Sequence, residues 1–174
     1  DSSRILIEMM NMYNSQQYFV QWGNKQLIEL EYADSNYRFG CFLDNNFSNY
    51  VEYDHLVLMI SKLQLVFMKH LKLPKFTQGS KFCVDELYKK ILSSNTLFTN
   101  ANLPYISTTK NLIINKIIQH ATLTINENGA HKLENLKNQY SNDKLNITFF
   151  ANKPFIYYIR NVPTNTFILT GSYE

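Results

Sequence analysis

Glycine is scarce: there are five among 174 residues. None stands in the spacing that wraps backbone N–H groups around a phosphate, which excludes a nucleotide-cradling loop. Cysteine is scarcer still. Cys41 and Cys83 do not make a disulfide framework. Neither sits in a nucleophile motif, and Cys41, inside the strand-like run GCFL, reads as a buried apolar residue. No apolar run approaches the roughly 18 residues of a membrane-crossing helix, and no leader peptide is visible. The chain starts with Asp1, which fits a fragment or a processed product. The histidines, His55, His70, His120 and His131, lack metal-ligand spacing and read as structural or surface residues. No serine occupies a nucleophile elbow. The adjacent Asp85 and Glu86 suit a helix start better than acid–base chemistry. The sequence therefore offers no catalytic residue, metal site or cofactor site, and the expectation is a protein that is not an enzyme.

What is present is apolar and aromatic. Hydrophobic residues make up 45% of the chain and aromatic residues 14%, enough to build the core of one domain of ordinary size. The 17 basic and 14 acidic residues give a net charge of +3. The basic ones are scattered, so there is no nucleic-acid footprint. The aromatics of FFANKPFIYY fall at strand spacing, which favours a core over a base-stacking platform. Two sequons, Asn46-Phe47-Ser48 and Asn146-Ile147-Thr148, matter only for a secreted protein.

The first quarter reads as a meander. YFVQW (18–22), QLIELEY (26–32) and YRFGCFL (37–43) are strand-like, joined by GNK and ADSN, which carry turn chemistry. In QLIELEY, Leu27 interrupts the face that carries Glu29 and Glu31, so this strand is expected to be covered on both sides. Residues 49–63 read as a helix, LVFMKHLKLPKF (65–76) as a strand and CVDELYKKIL (83–92) as a short helix. Residues 93–111 read as loop. LIINKIIQHATLTI (112–125) is a β-branched run too long for an average strand. Eighteen residues without period follow, NENGAHKLENLKNQYSND (126–143). Loops of such length in compact domains are usually functional or disordered. Strands KLNITFF (144–150), PFIYYIR (154–160) and TFILTGSY (166–173) complete the chain. Without regular βαβ alternation the pattern is α+β, mainly antiparallel sheets with two or three short helices.

The C-terminal stretch FFANKPFIYYIRNVPTNTFILTGSY resembles the closing signature of the serpins. Phe150, Pro154, Phe155, Ile159, Arg160, Pro163, Thr164, Phe167 and Gly171 stand at matching places. KIIQHATLTINENGA (116–130) resembles the strand that precedes the serpin reactive loop, with Glu127 and Gly129 at the hinge. HLKLPKF (70–76) resembles the family's Leu-Pro-Lys strand. IEMMNM (7–12) resembles the Pro-Met-Met segment that opens its C-terminal half, except that Glu8 replaces Pro. The flavour of PFIYYIR is that of poxvirus serpins of the cytokine-response-modifier type. Four blocks in order cover nearly the whole chain, 1–174, as one serpin-like domain equivalent to a C-terminal half, with the N-terminal half absent.

The resemblance makes the aperiodic segment a reactive-centre loop. It places the bait at Tyr140, Ser141, Asn142, Asp143 and Lys144, with the scissile residue at Asp143 or one position away, at Asn142 or Lys144; Asp143 would resemble the bait of serpins aimed at caspases or granzyme B. It makes Glu127, Gly129, Ala130, Lys132 and Glu134 the hinge, and Lys75 and Glu127 an ion pair at the top of the sheet. Serpin inhibition needs the cleaved loop to insert as a new strand. Period-two alternation turns Ala130, Lys132, Glu134 and Leu136 the same way, toward the core, and burying an unpaired charge costs several kcal/mol. The expectation is therefore a non-inhibitory, serpin-like interaction protein, a viral host-modulating factor. Its partner would be a host protease or signalling protein, with no nucleic acid and no membrane span. One alternative is a serpin-type protease inhibitor. Another is a structural remnant that oligomerises. Uncovered strands invite association, so a homo-oligomer or a missing N-terminal half is expected. The compartment stays open between host cytoplasm and secretion.

Overall fold

The computed structural model describes residues 6–46, 53–92, 96–101, 103, 105–106, 112–127 and 147–174. The fold is α+β, with three short helices among the described residues. Two compact units divide the chain, one of Asp1–Phe76 with Ile125–Glu174 and one of Thr77–Thr124.

The first unit is built on a seven-stranded sheet. In chain order its strands are β1 (Met9–Trp22), β2 (Lys25–Glu31), β3 (Tyr37–Asp44), β4 (Gln64–Pro74), β7 (Ile147–Phe150), β8 (Phe155–Asn161) and β9 (Thr166–Tyr173). They lie in the order β7-β4-β1-β2-β3-β8-β9. Neighbours are antiparallel except β4 and β7, which run parallel. The meander follows from its turns. Gly23, with φ of 60°, opens the two-residue joint between β1 and β2, where a positive φ matches the strand twist. In ADSN the Asp34 carboxylate accepts the Asn36 N–H at 3.0 Å, an Asx turn. Helix α1 (Tyr53–Ser61) sets Leu56, Met59 and Ile60 against Leu27, Phe42 and Tyr158. Leu27, Ile28, Glu29 and Leu30 are all buried, so β2 is covered on both sides. Two glycines admit rings. A Cβ on Gly40 would lie 2.1 Å from the ring of its cross-strand partner Tyr158, and one on Gly171 2.4 Å from that of Tyr157.

The second unit holds helices α2 (Asp85–Ile91) and α3 (Thr96–Thr99) and most of the two-stranded sheet of β5 (Phe76–Cys83) and β6 (Ile118–Ile125). Its core is slight. Val84, Ala101 and Leu123 are buried, whereas Phe82, Leu87, Ile91, Ile113 and Ile118 are exposed.

Several boundaries differ from the sequence reading. Strand β1 runs back from YFVQW to Met9, because β4 supplies a continuous antiparallel partner along it. β5 lies where no strand is expected, since its polar, exposed residues carry no apolar alternation. The run 112–125 contains a strand only from Ile118, and α3 falls inside the stretch read as loop. PFIYYIR is interior to the sheet, and TFILTGSY forms its edge.

Candidate functional site

Strand β4 anchors chain on both sides of the segment 128–146. Its Leu73-Pro74 end is buried, and Pro74 pairs with Met9, an end position where a missing N–H is tolerated. The next residue, Lys75, donates its backbone N–H to the Glu8 carbonyl at 2.8 Å. That bond fixes where its side chain starts. The Lys75 ammonium then meets two carboxylates, Glu127 Oε1 at 2.6 Å and Glu8 Oε1. Glu127 lies two residues beyond the end of β6. The middle of β4 pairs with β7, from Met68–Ile147 to Lys72–Phe150, and the Ala151 N–H donates to the Lys72 carbonyl at 3.0 Å. Phe149 is fully buried and meets Phe19 edge-on, which holds β7 down.

The ion triad is accessible. Glu8 is 74% exposed, Glu127 57% and Lys75 27%. The hydrogen bond to Glu127, followed by the one to Glu8, raises the Lys75 pKa above its ordinary value. The Lys75 hydrogen bond holds the Glu127 carboxyl below its ordinary value. An exposed pair of this kind positions chain segments more than it stabilises the fold.

The structure brings Lys75 and Glu127 together and adds Glu8. The remaining loop residues named from the sequence, Gly129, Ala130, Lys132, Glu134, Tyr140, Ser141, Asn142, Asp143 and Lys144, lie outside the described residues, as does His131. His70, beside β7, stacks on Tyr13 at 4.1 Å and contacts Asn11 Oδ1 at 3.1 Å. His55 contacts Lys25 at 3.4 Å. No group of three or more His, Cys, Asp or Glu side chains able to hold a metal ion occurs among the described residues. No helix among them is long and apolar enough to cross a membrane.

The sequence reading missed two features. One is Glu8, whose signal was its presence where the resembling motif has Pro. The other is a buried charge cluster. Glu29, at 0% exposure, accepts from Arg160 Nε at 2.6 Å, Arg160 Nη2 at 2.9 Å and the Tyr158 hydroxyl at 2.7 Å. Arg38 reaches Glu29 at 3.5 Å and Glu31 at 3.0 Å while lying over the Tyr18 ring. Burial, then the Glu29 charge, pushes the Tyr158 pKa well up, so it stays a donor. This cluster ties β2, β3 and β8 together.

Comparison with known proteins agrees with this geometry. The family model described as Serpin (serine protease inhibitor) matches residues 1–174. An uncharacterised serpin-like protein of Acanthamoeba polyphaga mimivirus, R700, is 29% identical over 188 residues, covering 97% of this chain and 46% of that protein. Among solved structures, a tumour-suppressing serpin superposes with a TM-score of 0.70 at 20% identity, over 95% of this chain and 46% of its own. A maspin structure gives 0.72 at 18%, over 96% and 47%. At these identities the structural likeness concerns the fold. The chain spans about half the length of the relatives it matches.

Proposed function

The chain belongs to the serpin family, whose model covers it from end to end, and on that premise we propose that it is a non-inhibitory member that acts by binding a protein partner. The two compact units are parts of one serpin-like domain spanning 1–174. The observation that carries this reading is the order Ala130-His131-Lys132-Leu133-Glu134 after the hinge glycine. Alternation turns Lys132 and Glu134 the same way, and inserting that face as a strand would bury both charges. The role is recognition rather than catalysis, in keeping with a family described by inhibition. Support for a protein partner comes from the second unit, which leaves Phe82, Leu87 and Ile91 exposed. The viral origin of a serpin-like relative supports a host-modulating role.

Incubation with a panel of serine and cysteine proteases, including enzymes that cleave after Asp, tests the reading. Cleavage within 138–145 without a covalent product is expected. An SDS-stable adduct joined after Asp143 would establish the inhibitor reading instead.

A further inference from the structure

Lys75 has two carboxylate partners, and they are held differently. Glu8 immediately precedes β1, at the first rung of the β1–β4 ladder. Its carbonyl accepts the Lys75 N–H, and the next residue, Met9, pairs with Pro74. Glu127 follows β6 and reaches Lys75 through its side chain. A lysine ammonium has three donors and no acceptor, on a flexible stem, so it can serve both. Two carboxylates on one ammonium leave a net negative charge and repel each other. Glu8 occupies the place that holds Pro in the resembling motif, and Pro has no carboxylate.

We propose that Glu8 is a positioning residue that competes with Glu127 for Lys75 and so weakens the tie between the end of β6 and the end of β4. Glu8 stays on Lys75 by backbone register, whereas Glu127 is the exchangeable partner. When Glu127 departs, Lys75 remains paired and the repulsion between carboxylates is relieved. A dedicated Lys75–Glu127 pair would resist that departure more. The inference rests on the reading of Glu127 as a hinge residue and not on any partner or protease.

The test compares the full chain with Glu8→Gln, Glu127→Gln and the double variant. Gln at position 8 keeps the backbone bond and removes the charge. Carbon-detected NMR follows the Glu127 carboxyl through its titration. Glu8→Gln should lower its midpoint, because a repelling charge is gone and Lys75 is no longer shared. A structural role for Glu8 alone would leave that midpoint in place and overturn the proposal. Amide exchange at Ile125–Glu127 supplies the second readout. Glu8→Gln should slow it about two- to fivefold, the range of an exposed ion pair, when Glu127 is present, and should leave it unchanged beside Glu127→Gln. Equal effects in both backgrounds, or faster exchange in the single variant, would overturn the proposal. Neither readout involves a protease, so a covalent adduct would end the non-inhibitory reading without touching this one.

Discussion

A carboxylate with no exposed surface can persist only when its charge and lone pairs are answered. Glu29 meets this condition through Arg160, Tyr158 and Arg38. Removing it would leave Arg160, itself only 6% exposed, with an uncompensated charge. Glu29→Ala should therefore cost about 3–5 kcal/mol, read as a lower urea midpoint at unchanged slope. Gly40 is a second sharp case, because Tyr158 covers it. Gly40→Ala drives a methyl into the ring and should cost about 1–3 kcal/mol or more, read as a lower melting temperature. The sequence made half of this visible. Alternation placed Glu29 on a face that Leu27 made partly apolar, and the Ile159-Arg160 pair stood at its motif place. What joined them was invisible, because strand periodicity gives the face of a residue and not the strand that lies beside it.

The elements divide by how much apolar surface they bury. β2, β3 and β8 bury most of their residues, and the sequence pattern marked all three. β5 buries none completely, and α2 buries none. Such elements leave little hydrophobic periodicity to read, which is why the sequence predicts no strand at β5 and a loop across α3. The same poverty of burial has a dynamic consequence. Amides of Thr77–Cys83 should exchange with solvent faster than those of Leu27–Leu30, since locally opening segments are those with few buried contacts. Hydrogen-exchange mass spectrometry resolves the two peptides, and equal protection would contradict the expectation. The Lys75–Glu127 tie has a pH window of its own. Glu127 is lowered in the folded state, so its contribution is present above its unfolded pKa and is lost as pH falls below 4.5, through the folded value. Lys75 is raised, so its contribution is full below 10.5 and is lost as pH rises through the folded value. Exchange at Ile125–Glu127, corrected for intrinsic rates, should thus be flat around neutrality and accelerate in acid.

At the scale of the molecule, β4 carries the argument about function. Its end ties the residue before 128 through Lys75, and its middle ties the residue after 146 through β7. The described residues on either side of the segment 128–146, Glu127 and Ile147, thus both meet β4 or the residue that follows it. Whether cleavage lets that loop join a sheet depends on its own chemistry. Inhibitory serpins gain stability on cleavage because the freed hinge adds a strand. Here the alternation that would carry Ala130 inward also carries Lys132 and Glu134 inward. The gain in strand hydrogen bonding is then opposed by desolvation of two charges, which repay it only with a well-made pair. Limited proteolysis within 138–145, followed by thermal melting of the nicked and intact protein under one set of conditions, measures the balance. The midpoint should stay level or fall slightly. A rise of tens of degrees would mean that the charged face inserts after all, and the non-inhibitory reading would give way to that of an inhibitor with Asp143 as its bait.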